Sequence, residues 1–428
     1  MNICFLIRTF HRFRGGIETY TYHMARFLSA QGHRVHIITQ KGEEKFYKED
    51  LGPSVSIHQI DFKHEPFPGY WRIDKQLPVS EYRYARAVAQ KIDEIERKHG
   101  IDVIETPAMT EGFWHLRWRK TPFVVRLHGY HGLKERYLQG TLKNNPRKYL
   151  LWQMERELLQ RAAAVAAVSQ DFAGLIKEIF ECPQRTIEVV PNGVDPKLFK
   201  PDGGLREPWI LFVGRLQESK GIGVLAQAIP EIIRDFPDVK FLFAGRETAA
   251  KAKGSKQTWK DYLLHTLPKA RLVFLGQLST EELIPYYQKS RVAVFPSLYE
   301  PGGIVALEAI ACGCPMVASN IGGFAEAIRD GEDGLLIPVK HPQALAAAVK
   351  IILQEPALAE KFSRNGLNRI KEKFDLERLS REMVGVYEKA IAANKNRKKR
   401  WALTRMLLRA TIGVKQSNPH KSSTIKVD

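Results

Sequence analysis

The chain alternates short apolar runs with longer stretches in which apolar residues recur every three or four positions. Ile3–Ile7 is unbroken and apolar, which predicts a strand over Asn2–Ile7 that is buried on both faces. Gly15 and Gly16 follow. Ile17–Ala30 then carries Tyr20, His23, Met24, Phe27 and Leu28 on one helical stripe. Gly32 ends that helix, and Arg34–Thr39 is the next apolar run. Asp102–Glu105, Pro122–Leu127 and Ala163–Ser169 read as further strands. Leu51–Leu77, rich in proline and aromatic residues, reads as loop or hairpin.

The rhythm breaks at Pro191-Asn192-Gly193, and Pro196, Pro201, Gly203, Gly204 and Pro208 crowd the residues after it. Such a composition marks a linker. Alternation then resumes. The pattern predicts strands at Trp209–Val213, Val239–Ala244, Leu272–Leu275, Val292–Pro296 and Pro315–Ser319, with helices at Ile222–Asp235, Thr280–Gln288 and Ile304–Ala311. Repeated β/α alternation predicts an α/β fold of two doubly wound, Rossmann-like domains facing across a cleft. The boundaries follow: residues 1–196 as the first domain, 197–208 as linker, 209–374 as the second domain, 375–394 as a helix crossing the junction, and 395–428 as a tail. Ligands in such sheets sit beyond the carboxyl ends of the strands.

Composition narrows the class. The chain has 428 residues, 44% hydrophobic and 10% aromatic, enough for two or three cored domains and too apolar for wholesale disorder. No apolar run approaches the roughly 18 residues of a membrane span. The Ile3–Ile7 run, ended by Arg8, is shorter than the apolar region of a secretory signal. The four cysteines, Cys4, Cys182, Cys312 and Cys314, form no CxxC pair, which fits a reducing, cytoplasmic compartment and argues against structural zinc. Lys and Arg total 66 against 47 Asp and Glu, a net charge of +19. From Lys395 onward ten basic residues face only Asp428, so the tail holds about half the excess. Trp114–Lys120 also interleaves aromatic and basic residues. Such charge fits an anionic membrane surface, with the protein peripheral on its cytoplasmic face, or nucleic acid; no recognition motif supports nucleic acid. The tail itself reads either as a weak basic amphipathic helix or as a disordered, solubilising segment.

Three segments at strand ends carry candidate chemistry. In Arg14-Gly15-Gly16-Ile17-Glu18, two glycines let backbone approach a ligand, and the helix start offers unpaired N–H groups. Alone this is also what a tight turn looks like; it is not G-x-G-x-x-G, so a dinucleotide cofactor is disfavoured. In Gly214-Arg215-Leu216 with Lys220-Gly221, a planar cation and a point cation suit a diphosphate. The alternative is a pair of solvated surface cations. In Glu300-Pro301-Gly302-Gly303-Ile304-Val305-Ala306-Leu307-Glu308, a carboxylate ends the loop and a helix opens at the glycines. Glu308 follows one turn later among Ala306, Leu307, Ala309 and Ile310. It can accept two hydrogen bonds from vicinal hydroxyls, or it is a solvent-facing helix residue.

Taken in order, Gly15-Gly16-Ile17-Glu18, His128-Gly129, Val190-Pro191-Asn192-Gly193-Val194-Asp195, Gly214-Arg215 with Lys220-Gly221, and Glu300 with Glu308 resemble a family. They resemble the retaining nucleotide-sugar glycosyltransferases of the GT-B superfamily, family four-like, over about residues 1–390. That likeness implies an N-terminal acceptor domain, a C-terminal nucleotide-sugar domain and no cofactor beyond the sugar donor. It implies that Arg215 and Lys220 neutralise the donor diphosphate, helped by Gly214 and by backbone N–H groups around Gly302, Gly303, Ile304 and Val305. Glu300 would hold hydroxyls of the donor sugar and Glu308 those of the ribose. Gly15 and Gly16 would admit the diphosphate, and His128 would sit beside the sugar ring. No Asp-x-Asp pair stands out for a bridging metal, so metal-independent transfer is expected, from a UDP- or GDP-linked hexose to a glycan or lipid-linked hydroxyl. Two departures touch the donor loops: Gly302 stands where the family usually has Phe, and Ala325 where a Pro often precedes the Glu. A non-catalytic sugar-nucleotide-binding scaffold on the same fold is the alternative. Base, sugar and acceptor stay open.

Overall fold

The structure, a computed structural model, describes residues 1–10, 15–41, 51–62, 79–107, 116, 119–129, 146–249, 252 and 255–413. The first sheet contains β1 (Asn2–Leu6), β2 (Arg34–Gln40), β3 (Val55–Ile60), β4 (Val103–Pro107), β5 (Phe123–Leu127), β6 (Ala164–Ala167) and β7 (Glu188–Val189). The second contains β8 (Glu207–Val213), β9 (Lys240–Ala244), β10 (Leu272–Gly276), β11 (Ser290–Phe295), β12 (Met316–Ser319) and β13 (Leu335–Ile337). All pairings between these strands are parallel. The orders are β3-β2-β1-β4-β5-β6-β7 and β10-β9-β8-β11-β12-β13. In each, the first strand lies inside and the winding reverses beside it, between β1 and β4 and between β8 and β11. A crevice opens at such a reversal.

Burial follows the apolar runs. Every residue of β5 is buried, as are Ile3–Leu6 of β1, as expected of strands covered by helices on both faces. The helices leave two apolar cores per domain, one on each face of each sheet. One expectation fails. Within Leu51–Leu77, Val55–Ile60 is a parallel edge strand in register with β2, Val35 facing Val55 through Gln40 facing Ile60. Its polar Ser56, His58 and Gln59 fit an edge and hide it in a proline-rich neighbourhood. Two further edge strands, β7 and β13, are only two and three residues long, too short to show a period.

The domains exchange chain twice, at one point. Val194 N–H donates to the Phe374 carbonyl at 3.0 Å, and Leu376 N–H donates to the Val194 carbonyl at 3.1 Å. Gly193 permits this crossing, since a Cβ there would lie 2.6 Å from the Leu376 Cα. The helix Leu376–Gly413 then leaves the second domain and packs over β4, β5 and β6 on one face of the first sheet, beside the helix Gly16–Ala30. Its Leu379, Met383, Val386, Tyr387 and Ala390 join the core that holds Ile3, Phe5 and Val124. Burying Leu379, Met383 and Val386 is worth roughly 1.5–3 kcal/mol each. The sequence reading ended this helix at 394. The backbone continues to Gly413 because residues 395–412 hold no proline or glycine and many strong helix formers. Side chains from 396 on, residues 414–428, and most of the stretches Trp114–Lys120 and Gly129–Leu150 lie outside the described residues. Among the described residues no helix is long and apolar enough to cross a membrane. The four cysteines are buried and unpaired.

A histidine cluster sits under the first sheet's edge. His36 Nδ1 lies 3.1 Å from His58 Nε2, and His99 stacks on His36 at 5.3 Å. Burial, then the neighbouring His58 and His99, push the His36 imidazole down to about 4, and burial likewise lowers His58. The unfolded chain binds these protons near 6.5, so the stabilising effect is complete above that value and is lost as pH falls toward 4. Thermal unfolding between pH 7.5 and 4.5 should show a steeper loss of Tm in the wild type than in His36→Leu. Equal slopes would exclude the cluster as the cause.

Candidate active site

Every residue singled out from the sequence as a candidate ligand contact falls at the crevice between the sheets. A cleft of about 620 Å³ is lined by Gly15, Gly16 and His128 of the first domain and by Gly214, Arg215, Lys220, Glu300, Gly302–Val305 and Glu308 of the second.

The loops that carry them are held by close backbone contacts. Gly221, at φ +72°, lets the turn after β8 lie against β11's end, where a Cβ would fall 1.7 Å from the Pro296 carbonyl oxygen. This brings Lys220 Nζ within 2.6 Å of Glu300 Oε2. Gly303 N–H donates to the other carboxylate oxygen at 3.2 Å, so both Glu300 oxygens are engaged. The Glu300 carbonyl accepts from Gly323 N–H at 2.8 Å, tying the loop to the second Gly-Gly turn. Arg215 shares the cleft with a second guanidinium, Arg246. Burial, then the Arg246 charge, lower the Arg215 pKa, while Glu18 and Glu300 act in the opposite sense. Glu18 itself accepts from Thr9 Oγ1 at 2.8 Å.

Glu308 is neither solvated nor fully enclosed. It borders the cleft, and Tyr287 donates to its Oε2 at 3.0 Å. Loss of water pushes its carboxyl up to about 7, against the pull of the tyrosine hydrogen bond. His128 follows β5 directly. Burial, then the Arg126 cation, hold its imidazole well below the usual range, hence neutral. Its ring packs on Tyr20 with centroids 4.4 Å apart, and its Nδ1 makes no hydrogen bond among the described residues.

The two walls touch through glycines. Gly129, at φ +118°, sits where a Cβ would lie 2.4 Å from the Pro301 Cγ. A Cβ on Gly302 would come within 2.5 Å of Asn192 Nδ2 and 3.1 Å of Val168 Cγ2. Any side chain at 302 would therefore press on the first domain. Beside these contacts, Glu326 accepts from Gln170 N–H at 3.0 Å and Asp171 N–H at 2.9 Å. A carboxylate of the second domain thus caps the helix Gln170–Ile179 of the first.

Two site residues went unread in the sequence. Arg246 lines the cleft behind Gly245, and its signal was present, since Gly245-Arg246 after β9 repeats Gly214-Arg215 after β8. From the sequence, Asn192 is read as part of a turn and of the Val190–Asp195 motif, with no role of its own. Its side chain is buried against Gly302, its Oδ1 makes no hydrogen bond, and it reaches the cleft.

Comparison with known proteins agrees with this geometry. Residues 14–198 match the family model for Glycosyltransferase Family 4, and residues 196–369 that for Glycosyl transferases group 1. Glycogen synthase of Mycobacterium tuberculosis is 30% identical over 87% of this chain and 91% of its own. Sucrose-phosphate synthase of Thermosynechococcus elongatus superposes with a TM-score of 0.75 at 25% identity, over 92% of this chain and 99% of that one. Anabaena HepE in complex with UDP-glucose superposes at 0.68 with 19% identity, over 91% and 99%. The chain belongs to the GT-B glycosyltransferases.

The glycine contacts predict a split between two substitutions. Gly129→Ala should cost about 1–3 kcal/mol in strain and also abolish most glycosyl transfer by forcing Pro301 away. Gly32→Ala, at φ +77° with open space around it, should cost stability alone. Thermal melts with a transfer assay on both variants check this; full activity in Gly129→Ala would contradict it.

Proposed function

We propose that the chain is a retaining hexosyltransferase. It moves a sugar from a UDP- or GDP-linked donor to a hydroxyl of a glycan or lipid-linked acceptor in cell-surface polysaccharide or lipopolysaccharide synthesis. The observation that carries this reading is the convergence of Arg215, Lys220, Glu300, the Gly303–Val305 helix start and Glu308 on one cleft. UDP-glucose bound in the HepE structure supports the donor class.

The reaction follows from where charge grows. As the glycosidic bond weakens, the departing diphosphate gains negative charge, which Arg215, Lys220 and the helix-start N–H groups stabilise in a water-poor cleft. These fixed positive charges do what a bridging metal would do, so transfer is metal-independent in this reading. Glu300 orients hydroxyls of the donor sugar; with both oxygens already engaged it is a poor nucleophile. The acceptor hydroxyl attacks the same face of the sugar and passes its proton to an oxygen of the leaving phosphate. His128, neutral, lies against the sugar ring without opposing the positive charge developing there. The basic helix running to Gly413 and the charged tail support docking on an anionic, cytoplasmic membrane face.

Nucleotide-sugar affinity should rise as pH increases through about 7, because the Glu308 carboxylate accepts ribose hydroxyls better than the acid does. Glu308→Gln should flatten that dependence and weaken binding. A sugar donor at 100 times its Kd should raise wild-type stability by about 2.7 kcal/mol. Turnover should survive chelation. A wild type that neither binds nor consumes any UDP- or GDP-sugar would overturn the reading.

A further inference from the structure

A carboxylate deep in the first domain has no place in the reaction as described. Glu105, on β4, is 3% exposed. Tyr20 of the first helix, Gly16–Ala30, donates to its Oε2 at 3.2 Å. Tyr387 of the C-terminal helix donates to the same oxygen. Tyr387 is fully buried and Tyr20 is 6% exposed. The Tyr20 ring is in turn enclosed by two site elements: His128 at 4.4 Å between centroids, and the Arg126 guanidinium 5.1 Å from the ring centre. Arg126 is also fully buried; it donates to the carbonyls of Val190 at 2.6 Å and Pro191 at 3.5 Å, bracing the turn that presents Asn192.

Burying a carboxyl costs free energy unless hydrogen bonds return it. The carboxyl also answers the charge of the fully buried Arg126, which meets part of that cost and leaves its two tyrosine hydrogen bonds as the feature to explain. What the carboxyl does is fix the Tyr20 hydroxyl, and with it the plane of the ring. That ring is what His128 rests on, since the imidazole makes no hydrogen bond through Nδ1 among the described residues.

We propose that Glu105, Tyr20 and Tyr387 form a positioning relay that sets the orientation of His128, and that the C-terminal helix is thereby part of the catalytic apparatus. The inference rests on the reading that His128 faces the donor sugar. Most donor contacts lie apart from it, because Arg215, Lys220 and Glu308 belong to the other domain and only Gly15 and Gly16 share the Tyr20 helix. Loosening the relay should therefore lower kcat and leave donor KM nearly unchanged.

The test uses the full chain with Tyr387→Phe, which removes one oxygen, and Glu105→Gln, which keeps the shape and an acceptor. Both should reduce kcat by about 10- to 100-fold, the range expected from misplacing a reacting neighbour, with donor KM within about twofold. The His128 ring resonances, followed by ¹H–¹⁵N NMR and assigned by their loss in His128→Asn, should shift in both variants. Folded variants with wild-type kcat, or reduced kcat with unmoved His128 resonances, would overturn the relay. Should Glu105→Gln fail to fold, Tyr20→Phe takes its place with the same criteria. If the wild type consumes no nucleotide-sugar, the functional reading fails by itself, and the His128 resonances still report whether the relay exists.

Discussion

The molecule depends on direct backbone contact between two separately wound sheets. At Gly129, Gly302 and Gly193 a side chain of one domain's partner, or its main chain, occupies the space where a Cβ would be. Such contacts cannot be loosened gradually, because a single methyl group closes each gap. Glu326 adds a directional element, placing a carboxylate on the positive end of a helix across the boundary. The cleft inherits its shape from these contacts, which align the strand ends of both sheets around one volume.

Among the described residues that line that volume, Arg215, Lys220 and Arg246 meet Glu18, Glu300 and Glu308. Lys220 has a carboxylate partner, Glu300, whereas Arg215 feels the Arg246 charge against the pull of Glu18 and Glu300. The same contrast governs the carboxylates. Glu300 is fixed by two donors, while Glu308 has one tyrosine and spare acceptor capacity for a ligand's hydroxyls.

Much of this was legible in the sequence because parallel sheets write themselves plainly. Central strands such as β1, β5 and β8 are near-continuous apolar runs, and each is followed by glycines or cations that line the cleft. Of the edge strands only β10 was legible, as an apolar run: β3 is half polar, and β7 and β13 are too short for a period. The donor-side residues could be read from their position after a strand. Arg246 obeys the same rule and was missed for want of applying it a second time. Glu105 and Tyr387 could not have been paired by any local rule, since 282 positions separate them and only the return of the last helix brings them together. The absence of phenylalanine at 302 was visible, but what presses on that position, Val168 and Asn192, belongs to the other domain.

The last helix also bears on how the chain is made. Part of the cover of one face of the first sheet comes from residues that emerge from the ribosome about 190 positions after β7. At 5–20 residues per second, that is roughly 10–40 s during which the core around Ile3, Phe5 and Val124 is covered by the first helix without the last. The first domain therefore completes its core only after the second has been synthesised, and a nascent chain halted before Leu379 presents part of that face to chaperones and proteases.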